Sequence, residues 1–393
     1  MVLLMRGGLR LQSPGVWELR LEAGRDPVTG RRRQISRTVH GSKREAQQAL
    51  NALVVETDQG HGTGTKATFE QLSVEWLALV ANDLSPTTLY RYKNLLKNRI
   101  LPAIGNRSVH AIRTNDLDRL YLGLVNEVGL APATVRQAHA IIRRAFRQAV
   151  LWGWIAANPA VNATPPRQVR SELSPPNVAQ VGELLKKAGE EDPELGRFLH
   201  IAAATGARRG EMCAIRWRNV DTKLRTLTIE HSITDLPGGP AEKDTKTHAN
   251  RRLALDPETL AVLQEQRSVA TMLAGEASME LTEDAYVFSH EPDGLAPLVP
   301  GSITKRFQNL RDSLGYENMR LHDLRHFTAT RLIAAGVPVR TVSGRLGHAS
   351  PSTTLSVYSH FVEASDQDAA SVMGELLPKS RRKARKYVNA QSP

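Results

Sequence analysis

A chain of 393 residues is long enough for two or three domains with separate cores and too long for one. Its 52 Lys and Arg against 40 Asp and Glu leave a formal charge of +12 without low-complexity runs, which favours a polyanionic partner, nucleic acid first, over an acidic small substrate. Cys213, the single cysteine, excludes an internal disulfide framework and a cysteine-based zinc site, and the cytosol is the expected compartment. The apolar run in MVLLMRGG is too short for a signal peptide, and no run approaches a membrane span.

Residues 1–60 alternate like a small sheet followed by a helix. Trp17, Leu19 and Leu21 share one face, residues 26–30 supply a turn, and Ile35 and Val39 continue the pattern. Ser42 and Glu45 are spaced as a capping box ahead of a helix over 46–55. Arg31, Arg32, Arg33 and Arg37 form a basic strand, which on residues alone is either a solvated face or a ribbon laid against DNA. GHGTGTK at 60–66 lacks the closing Gly-Lys-Ser/Thr of a phosphate loop and reads as a linker.

From Thr68 to Trp154 the pattern is helical, with stripes at Leu72, Trp76 and Leu79, at Leu89, Tyr92 and Leu96, and at Leu117, Leu120 and Leu124. Arg91, Lys93, Lys97, Arg99, Arg136, Arg143, Arg144 and Arg147 have few acids beside them, which suits a DNA-facing surface. Pro159, Pro165, Pro166, Pro175 and Pro176 mark residues 157–176 as an extended connector.

A further domain is expected over 177–378. A helix over 197–204 stops at Thr205-Gly206, and Arg208-Arg209-Gly210-Glu211 opens the next. Strand-like residues at 226–230, a Pro/Gly turn at 236–240 and a second pair near Lys246 and 251–255 predict an antiparallel hairpin system, with a further strand at 286–289 and a helix over 302–314. A helix over 322–335 places His322 and Arg325 on one face, while Leu324, Phe327 and Leu332 turn to the core. Gly336 ends it, a short helix ends at Gly347 and leaves His348 at a turn, and the Ser and Thr residues of SPSTTLSVYSH predict a short helix carrying Tyr358. Ala370, Met373 and Leu377 form a last stripe before a basic tail.

The ordered set ATGARRGEMCAIRWRNVD, DTKTHANRRLALD, His-x-x-Arg, Leu-Gly-His and a Tyr ten residues later resembles the tyrosine recombinase, or phage integrase, family. The resemblance is specific in the last half of the chain and architectural before it. It implies a multidomain fold: a small α+β arm-type DNA-binding domain over 1–60, an all-α core-binding bundle over 67–156, a linker over 157–176, a mixed, mainly-α catalytic domain with a small antiparallel sheet over 177–378, and a basic tail over 379–393.

The implied activity is site-specific recombination of phage or mobile-element DNA through a covalent 3′-phosphotyrosine, with Tyr358 as nucleophile. Arg208 and Arg325 would clamp the non-bridging oxygens, because guanidinium groups stay charged and bond two oxygens at once. The phenol, with an ordinary pKa of about 10, must lose its proton as it attacks. The resemblance gives that acid/base role to His322, a hydrogen bond to the phosphate to His348, protonation of the departing 5′ oxygen to Lys246, and a supporting role to Glu211. It implies no cofactor, neither ATP nor metal. The implied partners are double-stranded DNA at core-type and arm-type sites, a homotetramer on synapsed DNA, a directionality factor and a host DNA-bending protein, in the bacterial cytoplasm and without a membrane.

Two other classes share parts of this pattern: a DNA-binding regulator without chemistry, and a relaxase of the type IB topoisomerase kind. The complete polar set argues against the first, and the N-terminal domain is superfluous to the second. His322 and His326 also make a His-x-x-x-His pair, but Asp323 stands where the zinc-protease motif has its glutamate base, so His326 reads as a structural neighbour.

Overall fold

Apolar alternation at the start of the chain produces three antiparallel strands, β1 (Gly7–Ser13), β2 (Val16–Arg25) and β3 (Arg32–His40), in spatial order β1-β2-β3. The register sets Trp17 opposite Val39 and Leu21 opposite Ile35, so one face is apolar throughout. Leu19 and Leu21 are fully buried with Ala46, Leu50 and Leu53 of α1 (Lys43–Asp58). The expected capping box is formed: the Ser42 N–H donates to Glu45 Oε2 at 2.7 Å and the Glu45 N–H to Ser42 Oγ at 3.3 Å. The exposed strand residues include Arg32 and Arg37.

The computed structural model describes residues 7–25, 32–58, 67–168, 175–244, 250–348, 371 and 373–377. Contacts divide the chain into two units, Met1–Ser171 and Glu172–Pro393. The expected turn at 26–30, the linker at 60–66, Arg31 and the basic tail lie outside the described residues.

The first unit continues with α2 (Phe69–Val80), α3 (Pro86–Leu95), a π-helical turn at Leu96–Ile100, α4 (Leu101–Ile104), α5 (Thr114–Asn126) and α6 (Pro132–Leu151). Thr68 caps α2 reciprocally with Gln71, and proline opens α3 and α6, where a missing N–H costs nothing. Phe69, Trp76, Ile100, Tyr121, Ile141 and Phe146 fill the core. Leu79 departs from the expected stripe and is 55% exposed. The buried face of α2 advances by fours through Leu72, Trp76 and the partly buried Val80, which turns position 79 outward. All eight bases named on this bundle are exposed, and Arg144 Nη1 donates to Tyr92 Oη at 2.6 Å.

The extended connector expected over 157–176 starts later than proposed. Ala160 and Ala163 are buried in the helical core, Thr114 Oγ1 donates to the Pro159 carbonyl at 2.9 Å, and the Thr164 N–H donates to Asp118 at 2.7 Å. Small side chains let this strap lie flat on the bundle, which the prolines alone do not reveal.

The second unit opens with α7 (Val178–Glu191), α8 (Pro193–Thr205) and α9 (Arg209–Cys213), then β4 (Val220–Asp221), β5 (Thr226–Ile229), β6 (His231–Leu236), β7 (Gly239–Asp244) and β8 (Arg251–Ala254). It closes with α10 (Pro257–Glu276), α11 (Pro300–Ser313), α12 (Asp323–Ala334) and α13 (Val339–Leu346). The hairpin system resolves into two parts: a sheet of order β4-β5-β8, and the separate hairpin β6-β7 inserted between β5 and β8 in sequence. The strand expected at 286–289 reduces to one bridge between Arg216 and Tyr286, because the Trp217 and Val287 N–H groups each make a single cross-bond, to Ala285 and Ile215. Phe198, Trp217, Phe288, Phe307 and Leu324 lie in one core that α8 crosses. Among the described residues no helix is long and apolar enough to cross a membrane.

Candidate active site

The second unit gathers its charged groups where helices end. α8 stops because Gly206 adopts a left-handed φ of +66°, a conformation costly for any residue with a Cβ. Two residues later Arg208 sits at the N-cap of α9. Its N–H donates to Glu211 Oε2 at 2.8 Å, its Nη1 to Glu211 Oε1 at 2.8 Å, and its Nη2 to the Gly347 carbonyl at 3.2 Å. Arg208 keeps a third of its side chain exposed, whereas Glu211 is 2% exposed.

Gly347 ends α13 at φ +68°, and the His348 N–H returns to the Ser343 carbonyl at 3.1 Å. This closes the last turn and sets His348 beside the peptide that Arg208 holds. α12 is docked on α8 by Thr328 Oγ1, which donates to the Ala203 carbonyl at 2.6 Å. One turn earlier on α12, Arg325 is 3% exposed, and its Nη1 donates to the Gly206 carbonyl at 2.8 Å. His322 stands at the start of the same helix, so the spacing of three puts it on the Arg325 side.

Electrostatics tie these positions together. Burial pushes the Glu211 carboxyl up, but the hydrogen bonds and charge of Arg251 and the charge of Arg208 win and hold it at about 2. His348 is pulled down to about 4, first by desolvation and then by Arg325, Arg208, His322 and His326. His322 presents an exposed edge, yet the protein around its ring lowers it to about 4, helped by His326, Arg325 and Arg208. Both imidazoles are therefore neutral at pH 7, the form able to accept a proton or share one in a hydrogen bond. His326 packs edge to face on His322, with ring centroids 5.0 Å apart. Among the described residues no group of three or more His, Cys, Asp or Glu is arranged to hold a metal ion.

Of the six expected site residues, Arg208, Arg325, His322 and His348 converge from α8–α9, α12 and the end of α13. Lys246 and Tyr358 lie outside the described residues. Sequence reasoning passed over Arg251, on β8, whose Nη1 and Nη2 donate to Glu211 at 3.1 and 2.6 Å. It also passed over Arg345, which donates to the Ala204 and Ala254 carbonyls at 2.9 and 3.2 Å. A buried arginine on a strand has no periodic signature; the only hint was a pair of basic residues where an edge would need one.

Comparison with known proteins places the chain among relatives. The Phage integrase family matches residues 177–364, and the N-terminal SAM-like domain of phage integrases matches residues 68–125. The ICEBs1 integrase of Bacillus subtilis is 23% identical over 92% of this chain and 98% of its own length. An integrase of Saccharopolyspora erythraea is 26% identical over 93% and 95%. Among solved structures, the Tn1549 transposon integrase in complex with a circular intermediate DNA superposes with a TM-score of 0.66 at 18% identity, covering 79% of this chain and all of that one. A lambda integrase dimer bound to a core site gives 0.55 at 19% identity, covering 91% and 96%.

The family models and the curated relatives define the class, enzymes that break and rejoin DNA strands. The chain belongs to the phage integrase family, the tyrosine recombinases.

Proposed function

We propose that this chain carries out site-specific recombination of a phage or mobile element by the following division of labour. Arg208 and Arg325 hold the two non-bridging oxygens of the scissile phosphate, where negative charge gathers in the transition state. Tyr358 Oη attacks phosphorus while His322 takes the phenolic proton, and His348 donates a hydrogen bond to the phosphate. The bond to the 5′ oxygen breaks as Lys246 supplies its proton, leaving a 3′-phosphotyrosine and a free 5′ hydroxyl. A 5′ hydroxyl from a second duplex reverses these steps, so the bond energy is conserved without nucleotide hydrolysis.

One observation carries this reading. Two arginines from segments more than a hundred residues apart are fixed on the carbonyls of Gly206 and Gly347, and two neutral imidazoles lie within reach of their charge. The basic face of α3 and α6 supports contact with core-type DNA, and the sheet of residues 1–60 with arm-type DNA. Four protomers on synapsed DNA, a directionality factor and a host DNA-bending protein complete the proposal, acting in the bacterial cytoplasm where chromosomal DNA lies.

The test is a nicked core site from which the downstream strand diffuses after cleavage. The wild-type chain should trap a denaturation-resistant DNA adduct, and Tyr358→Phe should bind the same DNA and trap none. An adduct of equal yield in the variant moves the nucleophile elsewhere.

A further inference from the structure

The carboxylate of Glu211 poses an electrostatic difficulty for a phosphate clamp. It is buried and ionised, and it takes both a side-chain and a backbone hydrogen bond from Arg208. Alone, that pair is close to neutral, so Arg208 would bring little net charge to a substrate phosphate.

Arg251 answers the difficulty from the opposite side. Its side chain is 10% exposed, and its fork takes both oxygens of Glu211, at 3.1 and 2.6 Å. Two guanidinium groups thus share one carboxylate, and the cluster keeps a surplus positive charge. Its Nε donates to the Arg345 carbonyl at 3.0 Å, in the last turn of α13. Gly347, two residues on, passes so near that a Cβ there would stand 2.7 Å from Arg251 Nη1. The same side chain therefore touches the anchor of Arg208 and the turn that carries His348.

We propose that Arg251 is a positioning residue for strand cleavage: it balances Glu211 so that the charge of Arg208 remains available to the phosphate, and it fixes the α13 turn that presents His348. The proposal rests on the recombinase reading above. No atom of Arg251 needs to touch DNA for it to act.

The experiment measures single-turnover adduct formation on nicked core-site DNA at saturating protein, with DNA affinity and thermal melting recorded for each variant. Arg251→Met should cleave about 100-fold more slowly, the scale of losing one preorganised charge-stabilising donor, with DNA affinity within about twofold of wild type. Adding Glu211→Gln to it should recover about tenfold, because the unbalanced carboxylate is then gone; a packing role alone predicts no recovery. Arg251→Lys, which keeps the charge and loses the fork, should fall about tenfold, and it decides the question should the methionine variant not fold. A wild-type cleavage rate in Arg251→Met or Arg251→Lys, or a double variant no faster than Arg251→Met, overturns the proposal. Absence of any adduct from the wild-type chain instead rejects the recombinase reading itself.

Discussion

Gly347 and Gly336 offer a controlled comparison, since both end a helix with φ in the left-handed region, +68° and +78°. Alanine at either position incurs the conformational cost of that region, roughly 1–2 kcal/mol. At Gly336 an added Cβ meets nothing within 4 Å, so that cost is the whole effect. At Gly347 the Cβ meets Arg251 Nη1 at 2.7 Å and Cζ at 3.1 Å, and the guanidinium cannot step aside without leaving Glu211 or the Arg345 carbonyl. Loosening a buried pair of this kind costs about 3–5 kcal/mol when one partner is removed outright. Partial displacement therefore puts Gly347→Ala at roughly 3–4 kcal/mol in total, against about 1–2 for Gly336→Ala. Equilibrium urea unfolding of the full chain reads the stability difference, and single-turnover cleavage should fall at least about tenfold for Gly347→Ala alone. Equal destabilisation by the two substitutions, or unchanged cleavage in Gly347→Ala, refutes the reasoning.

Arg325→Ala should lower cleavage by about 100- to 1,000-fold while core-site affinity, dominated by exposed bases elsewhere, changes little; a defect mainly in affinity rejects the clamp role. Because kcat/KM reports the free enzyme, its acid limb should lie well below pH 6.5, toward the value of about 4 held by His322, and an acid limb at the ordinary histidine value would contradict the site's electrostatics. Stability has a sign that can be worked out: folded pKa values of about 4 for His322 and His348 and about 2 for Glu211 mean that the unfolded chain takes up protons first. The melting temperature should therefore decline from pH 6.5 toward 4 through the histidines and from 4.5 toward 2 through Glu211, with the exposed edge of His322 making its share the smaller. Glu211→Gln should flatten the lower window, and a melting temperature constant from pH 6.5 down to 4 would count against the lowered histidine values.

The ends of α8, α12 and α13 were legible because glycine marks each one: Gly206, Gly336 and Gly347 all take the positive φ their positions suggested. The capping box at Ser42 and Glu45 was legible for the same local reason. Arg208, Arg325, His322 and His348 could be found as a set because their spacing is shared with a known family, although none is distinctive alone. Arg251 escaped because its importance comes from a partner 40 residues away on another element, and single-chain periodicity carries no such information. Leu79 and the strap through Ala160 and Ala163 were misjudged because the direction of a helix stripe and the docking of small residues are settled by tertiary packing.

Arg208 and Arg325 grip main-chain oxygens at Gly347 and Gly206, and Arg345 grips two more, at Ala204 and Ala254. Peptide oxygens survive every point mutation that preserves the backbone path. A lineage can thus rewrite the surrounding side chains extensively and still inherit the same mooring points, in keeping with kinship that persists where only about a fifth to a quarter of positions coincide.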